Sequence, residues 1–137
     1  MLRERQTYRE VHALNFLINK SEGDLLIFLD ADVEIPEELK GIFLSKVVEE
    51  LGNFDVMELK KVVCPDSFFS SLVYYDYFSE SVANYFLYKK LKRCVGINGA
   101  GFAVRRFIVE KIGGFKNFIV EDMEFGLDLF KKELQIL

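Results

Sequence analysis

Two aspartates, Asp30 and Asp32, have the side-chain type and spacing needed to bind a divalent cation. They follow an unbroken apolar run, Leu25–Leu29, and precede Pro36, where acidic residues after the proline predict a helix start. Ligands of open α/β sheets bind beyond the carboxyl ends of strands. Two carboxylates there can hold Mg²⁺ or Mn²⁺, which completes its shell with phosphate and water. The alternative is that both aspartates only cap the following turn, and the residues alone leave both interpretations open.

A second acidic pair, Glu121 and Asp122, stands where a helix predicted over residues 122–134 begins. Acids at a helix N-terminus are explained by capping and by the helix dipole without any function. A carboxylate that faces a cleft would instead act as a general base and take the proton of an acceptor hydroxyl.

A glycine-rich loop over residues 96–101 precedes a short strand predicted over 102–104. The loop matches neither the G-x-G-x-x-G pattern nor the P-loop pattern of nucleotide-binding proteins. Its glycines are therefore expected to let the backbone approach a ligand or another strand closely. Arg105 and Arg106 follow, and either could contact a phosphate, although most surface arginines have no such role.

The elements that must position these residues are read from hydrophobic periodicity. The unbroken run Leu25–Leu29 is typical of a strand buried on both faces, as in a parallel sheet. Alternating strands and helices predict an α/β fold in a single domain over residues 1–137. Helices are predicted over 8–20, from Pro36 to a stop at Gly52, over 68–93, over 106–112 and over 122–134, with a weak strand within 54–63. One side of the 68–93 helix is expected to be apolar, lined by Leu72, Tyr75, Phe78, Val82, Phe86 and Leu91.

Composition excludes several classes of protein. The formal net charge is −4 and the pI about 5.1, which argues against a nucleic-acid binder because such a protein needs a basic face. No apolar run approaches the length of a membrane span, and no secretory leader is evident. Cys64, Cys94 and the single His12 lack the spacing of a zinc site. We therefore expect a cytoplasmic protein.

Taken in order, the motifs resemble those of glycosyltransferase family 2. The resemblance is carried by the segments GDLLIFLDADVEIPEEL and GINGAGFAVRRFIVEKIGGFKNFIVEDMEFGLDL, and it extends from about residue 10 to residue 134. It implies a partial GT-A fold, with a mixed sheet flanked by helices. It also implies transfer of a sugar, with inversion, from a nucleotide-diphosphate sugar to a hydroxyl of a carbohydrate or lipid acceptor.

The resemblance assigns roles by position. Asp32 would ligate the Mg²⁺ or Mn²⁺ ion that bridges the diphosphate, and Asp30 would lie near the ribose or the metal's water shell. Asp122 would be the catalytic base, and Glu121 would support it. The substrate-binding residues would be Asp30, Gly99, Ala100, Gly101, Phe102 and Arg105.

The chain also departs from the family pattern. Family members place two βα units before the segment that begins here near residue 10, and a Q-x-x-R-W motif and membrane helices after it. We therefore expect a fragment of a transferase whose Leu25–Leu29 strand has an open edge, and hence self-association or a missing partner chain. The aromatic stretch 68–88 resembles that of membrane-associated synthases, which implies peripheral contact with the cytoplasmic face of a membrane. The equal alternative is that these aromatic residues pack in the core or at a subunit interface. The alternatives are a non-catalytic relic or interaction module and, more weakly, a phosphate-binding domain that does not need Asp122.

Overall fold

The computed structural model describes the backbone of residues 2–52, 54–63, 67–91, 97, 99–116 and 121–131. Within these ranges, the side chains of residues 2–9, 88, 91 and 121–123 are outside the description. The two cysteines and the glycine-rich loop at positions 96 and 98 also lie outside it.

Helices and strands alternate along most of the chain, which confirms the α/β prediction. Helix α1 and strand β1 come first, and helix α5 is the last described element. The bounds are α1 Leu2–Lys20, β1 Leu25–Leu29, a 3₁₀ turn Glu37–Leu39, α2 Phe43–Leu51, β2 Val56–Glu58, α3 Phe68–Leu91, β3 Gly101–Arg105, α4 Arg106–Ile112 and α5 Glu121–Lys131.

The three described strands form an antiparallel sheet in the order β1-β3-β2. Leu29 pairs with Gly101, Leu25 pairs with Arg105, and Glu58 pairs with Phe102. The expectation of parallel pairing for β1 was wrong, because its neighbour β3 returns in the opposite direction. The predicted packing on both faces is confirmed, because each face of β1 packs against a separate apolar cluster.

The larger cluster lies between one face of the sheet and helices α1, α4 and α5. Four phenylalanine rings form its centre: Phe28 stacks on Phe102 at 4.8 Å between centroids, and Phe115 stacks on Phe125 at 4.7 Å. Phe102 also lies 5.6 Å from Phe125, so the rings join β1 and β3 to the first turns of α5. Aromatic pairs at these separations add to the stabilisation from area burial.

The smaller cluster lies on the other face, where α2 covers the sheet. Val47 and Leu51 pack against Met57 and Ala103. The helix predicted from Pro36 is interrupted: a 3₁₀ turn ends at Leu39 and α2 starts only at Phe43. The predicted stop is confirmed, because α2 ends at Leu51 and the next residue, Gly52, has a positive φ of 43°.

Helix α3 runs for 24 residues and is the longest described element. Its predicted apolar side is exposed rather than buried: Tyr75 and Phe86 are 66% and 64% exposed. Of the described helices, none combines the length and the apolar character needed to cross a bilayer.

Candidate functional site

The candidate site lies at the sheet end where β1 and β2 finish and β3 begins, which we call the carboxyl end. The Asp30 amide donates a hydrogen bond to the carbonyl of Ala100 at 3.2 Å, and the Leu59 amide donates to the carbonyl of Gly101 at 3.0 Å. A Cβ at Gly101 would lie 3.4 Å from the Leu29 Cδ2 atom and 3.5 Å from the Leu59 Cβ atom. Glycine at this position therefore lets β3 run closely between its neighbours, as the glycine-rich loop predicted.

The two aspartates of the D-x-D motif lie beyond this end of β1, and both are exposed. The chain turns immediately after β1, since the Val33 amide donates to the Asp30 carbonyl at 3.1 Å. Two accessible carboxylates suit Mg²⁺ or Mn²⁺, which commonly bind one or two protein carboxylates and otherwise use phosphate and water oxygens. Among the described side chains, no group of three or more metal-ligating residues is gathered, at this end of the sheet or elsewhere.

Phe102 and helix α5 border the same end. The Phe102 side chain is 2% exposed and belongs to the aromatic centre, so its ring offers almost no surface to a ligand. Helix α5 begins at Glu121, one turn before Phe125, whose ring lies against Phe102. Residues 121 and 122 form the start of α5, and the side chains of Glu121 and Asp122 lie outside the described residues, so their place in the site stays a prediction.

Arg105 lies at the opposite end of β3, beside Leu25 at the start of β1. Its Nε atom donates to the Phe54 carbonyl at 3.2 Å, and its Nη2 atom donates to the Gly52 carbonyl. The structure thus brings Gly99, Ala100 and Gly101 together with Asp30 but holds Arg105 four residues away along the sheet. A substrate-binding role for Arg105 stays a prediction from the resemblance.

Arg106 has a structural role that the sequence did not reveal. Its guanidinium donates to the carbonyls of Ile18 at 2.9 Å and Gly23 at 2.6 Å, and to the hydroxyl of Ser21. The planar, multidentate donor suits this set of acceptors. Arg106 therefore joins the start of α4 to the end of α1 and to the turn that leads into β1.

Asn15 is a second side chain whose role the sequence left unassigned. Its amide nitrogen donates to the Phe115 carbonyl at 2.9 Å, and its amide oxygen accepts from the Phe115 amide at 2.9 Å. The preceding Gly114 has a φ of 79°, and a Cβ there would lie 2.5 Å from the Asn15 Oδ1 atom. An isolated asparagine in an apolar helix pattern, combined with a downstream Gly-Gly stop, is the signal that could have predicted this contact.

Glu58 brings a further, partly buried carboxylate to the carboxyl end of β2. Its Oε1 atom lies 3.3 Å from the Lys61 Nζ atom, which in turn lies 5.0 Å above the Tyr77 ring of α3. Burial raises the pKa of Glu58 above its ordinary value, the Lys61 charge lowers it in part, and the Glu80 charge raises it further. This group links the sheet end to α3.

A cavity of about 310 Å³ lies on the other face of the sheet, between α2 and β2. Phe43, Val47 and Met57 line it, together with Lys46 and Glu50. Glu58 and Leu59 also line it, so the cavity reaches the carboxyl end of β2, but neither Asp30 nor Asp32 is among its lining residues.

Comparison with known proteins now identifies the family. The family model for glycosyl transferase family group 2 matches residues 25–137, so the chain belongs to this family. The chain also resembles the solved structure of a mannosyltransferase, PcManGT from Pyrobaculum calidifontis, in complex with GDP-Man and Mn²⁺. The TM-score is 0.64 at 19% identity over 93% of this chain, a likeness that confirms the partial GT-A fold.

This chain spans 33% of the length of that mannosyltransferase. No curated protein matches the sequence significantly.

Proposed function

We propose that this chain carries the catalytic core of a metal-assisted, inverting glycosyltransferase. The observation that supports the proposal is the position of Asp30 and Asp32. Both lie beyond the carboxyl end of β1, and Asp30 is bonded to Ala100, in a chain that belongs to glycosyl transferase family group 2. The substrate class is a nucleotide-diphosphate sugar with a carbohydrate or lipid hydroxyl as acceptor.

In this proposal, Asp32 and Asp30 hold the cation and so fix the donor diphosphate at the carboxyl end. When bound, Mg²⁺ or Mn²⁺ neutralises the charge that develops on the leaving diphosphate. Both carboxylates are exposed, so they can reach a cation without any displacement of the core. Gly99, Ala100 and Gly101 present a narrow backbone surface next to them, where a sugar can approach closely.

Asp122 accepts the proton of the acceptor hydroxyl as that oxygen bonds to the anomeric carbon. A hydroxyl is a poor nucleophile at neutral pH, and a positioned base contributes about 10²–10⁴-fold to the rate. The base acts on the face opposite the leaving diphosphate, so the configuration at the anomeric carbon is inverted. Glu121 supports Asp122 in this role.

The structural neighbour indicates which sugar donor to test first. Because PcManGT was solved with GDP-Man and Mn²⁺, GDP and GDP-mannose with Mn²⁺ are the first ligands to examine, with UDP and TDP as comparators.

The test is a thermal melt of the protein with Mn²⁺ and each nucleotide. A ligand at 100 times its dissociation constant stabilises the fold by about 2.7 kcal/mol, which raises the melting temperature by several degrees. We expect a shift that needs both cation and one nucleotide and that disappears in Asp32→Asn. The matched control is Asp24→Asn, an exposed aspartate just before the other end of β1, which should keep the shift.

A second candidate function is a non-catalytic interaction module that retains the GT-A core. One observation favours it: α3 exposes apolar residues along its length. This candidate predicts no cation-dependent nucleotide shift in the wild type. A shift that depends on Asp32 would exclude it.

A further inference from the structure

Lys61, which lies between β2 and α3, is only partly paired. Within the described residues, its Nζ atom is buried and meets no acceptor at hydrogen-bond geometry. The Glu58 Oε1 atom lies 3.3 Å away and forms an ion pair with it. An ammonium group has three N–H donors, and the buried polar groups of proteins are normally hydrogen-bonded. Lys61 therefore retains donor capacity for an acceptor oxygen that the described residues do not supply.

The pair of Glu58 and Lys61, which we call the charged pair, is covered but not sealed. The Lys61 and Glu58 side chains are 15% and 23% exposed. The Tyr77 ring of α3 lies 5.0 Å from the Lys61 Nζ atom. A ligand that enters beside the Glu58 carboxylate thus has a carboxylate, an ammonium group and an aromatic ring within reach.

The charged pair stands at the sheet end that carries the D-x-D carboxylates. The amides of Asp30, after β1, and Leu59, after β2, donate to the carbonyls of Ala100 and Gly101 on opposite sides of β3. Two strand spacings separate β1 from β2, which amounts to about 10 Å. A molecule on the charged pair and a molecule on the aspartates are therefore neighbours, with Ala100 and Gly101 between them.

The direction of the Glu58 side chain agrees with this position. Glu58 is the cross-strand partner of Phe102, and paired residues of an antiparallel ladder project from the same face of a sheet. The Phe102 ring lies 5.6 Å from the ring of Phe125 in α5. Glu58 therefore projects on the sheet face that α5 covers, and α5 is the helix in which the proposed base, Asp122, occurs.

On the basis of the proposed transfer function, we propose that the charged pair binds hydroxyl groups of the acceptor and that this acceptor is a neutral carbohydrate. A hydroxyl both donates and accepts hydrogen bonds. One of two neighbouring sugar hydroxyls donates to the Glu58 carboxylate, and the other accepts from the Lys61 ammonium group. The Tyr77 ring offers an apolar surface to the C–H face of the same sugar.

Charge decides between a carbohydrate and a phosphate-bearing lipid. Burial raises the pKa of Glu58, and the nearby charge of Glu80 on α3 raises it further. In the described part of this region, two carboxylates thus act on one ammonium group, so a phosphate would meet like charges. A neutral sugar adds no charge and uses groups of both signs. The neighbouring Lys60 does not offset the carboxylates, because it lines the cavity on the α2 face of the sheet.

The experiment is a saturation-transfer-difference NMR titration of the full chain, without nucleotide or cation. The probes are cellotetraose, mannotetraose and chitotetraose, with dodecyl phosphate as the lipid-phosphate comparator. A site of one ion pair and one aromatic ring is expected to bind a sugar with a Kd of about 1 mM. We expect at least one of the three tetrasaccharides to bind in this range.

The decisive variants are Lys61→Met and its matched control Lys60→Met, which removes the neighbouring ammonium group on the other face of the sheet. Lys61→Met should raise the Kd by about tenfold or more, because a hydrogen bond from a charged group is lost. Lys60→Met should change the Kd by less than about twofold. Glu58→Gln keeps one acceptor oxygen and should raise the Kd by about three- to tenfold. Circular dichroism and thermal melts of each variant establish that the fold is retained.

Failure of all three tetrasaccharides to bind at about 10 mM would overturn the proposal, and so would equal losses in Lys61→Met and Lys60→Met. Binding of dodecyl phosphate alone, abolished in Lys61→Met, would assign the charged pair to a lipid phosphate and overturn the carbohydrate. Saccharide binding without a nucleotide shift in the thermal melt would keep the sugar site and remove the transfer function. A nucleotide shift without saccharide binding would do the reverse, so the two proposals fail separately.

Discussion

The two ends of the three-stranded sheet are built in different ways. At the carboxyl end, main-chain hydrogen bonds join the strands, and the polar side chains of Asp30 and Asp32 project into solvent. At the opposite end, which we call the arginine end, the guanidinium groups of Arg105 and Arg106 donate to neighbouring segments. Four of the five acceptors there are main-chain carbonyls, so the arginines hold backbone in place.

The two ends of the sheet therefore have different roles: one holds the elements together, and the other presents reactive side chains. The arginine end ties α1, α2, α4 and the sheet together through five side-chain hydrogen bonds. The carboxyl end leaves its charged oxygens unburied and free to reach a cation. Substitutions at the two ends are therefore expected to affect different quantities: stability at the arginine end and sugar transfer at the carboxyl end.

The largest expected effect is on transfer, from a substitution at the carboxyl end. Asp122→Asn removes the proposed base while nearly preserving side-chain volume, so we expect the rate of sugar transfer to fall by about 10²–10⁴-fold. The free energy of unfolding should fall by no more than about 1 kcal/mol, the usual contribution of a negative charge in the first turn of a helix. A coupled assay of nucleotide release from GDP-mannose with Mn²⁺, together with urea unfolding, measures both. Full activity in the variant would remove Asp122 from the mechanism.

The complementary change is at the arginine end. Arg106→Ala removes three hydrogen bonds to Ile18, Ser21 and Gly23. At about 0.5–1.5 kcal/mol each, the free energy of unfolding should fall by about 2–3 kcal/mol in urea titrations.

Arg106→Lys serves as the matched control and should recover less than half of that loss, because one ammonium cannot reach all three acceptors. The cation-dependent nucleotide shift should persist in folded Arg106→Ala. Its disappearance with stability intact would show that the two ends are not separate in function.

A smaller loss of stability is expected where α1 contacts the segment after α4. In Gly114→Ala the new Cβ lies 2.5 Å from the Asn15 Oδ1 atom, at a backbone φ of 79°. The left-handed backbone alone costs about 1–2 kcal/mol for a residue with a Cβ. The matched control is Gly41→Ala, where a Cβ meets nothing within 4 Å and no positive φ is present. Urea unfolding should show a loss for the first variant and a change between zero and a slight gain for the second.

The smallest effect concerns the pH dependence of stability through Glu58. Its pKa in the folded state is raised above 4.5 by burial, so the folded chain binds more protons than the unfolded chain just above pH 4.5. The contribution of Glu58 to stability is therefore largest at low pH and is lost as pH rises through the raised pKa.

Glu58→Gln should flatten this part of the profile, measured as urea midpoints from about pH 4.5 to 8. Lys61→Met should steepen it, because the Lys61 charge lowers the Glu58 pKa and its removal lets burial act unopposed. Identical slopes in all three proteins would contradict the assignment to Glu58.

Local features of the fold were predictable because they depend on residues that are close in sequence. The α4 bounds over residues 106–112 follow from an apolar pattern and a Gly-Gly stop, and the structure confirms them. The strand Leu25–Leu29 is confirmed as well. Its antiparallel partner was not predictable, because β3 lies more than seventy residues further along the chain and hydrophobic periodicity carries no direction.

The site was predictable only in part, for a related reason. Sequence order placed Asp30 after a strand, and the structure sets it beside Ala100. The hydrogen-bond partners of Arg105 and Arg106 could not be predicted from the sequence, because an arginine after a strand can equally bind a ligand or a main-chain carbonyl. The exposure of α3 could not be predicted either, since its apolar residues would be the same whether they packed in a core or against a partner.

The contact with Asn15 makes the main-chain amide of Phe115 a probe of how α1 packs on the rest of the protein. The Phe115 N–H belongs to no described helix or strand, yet its hydrogen bond to Asn15 joins it to α1, far away in the sequence. Its exchange with deuterium therefore requires α1 to separate from the segment after α4, rather than the fraying of a nearby strand. The exchange rate at this one position measures how often the first helix leaves the domain.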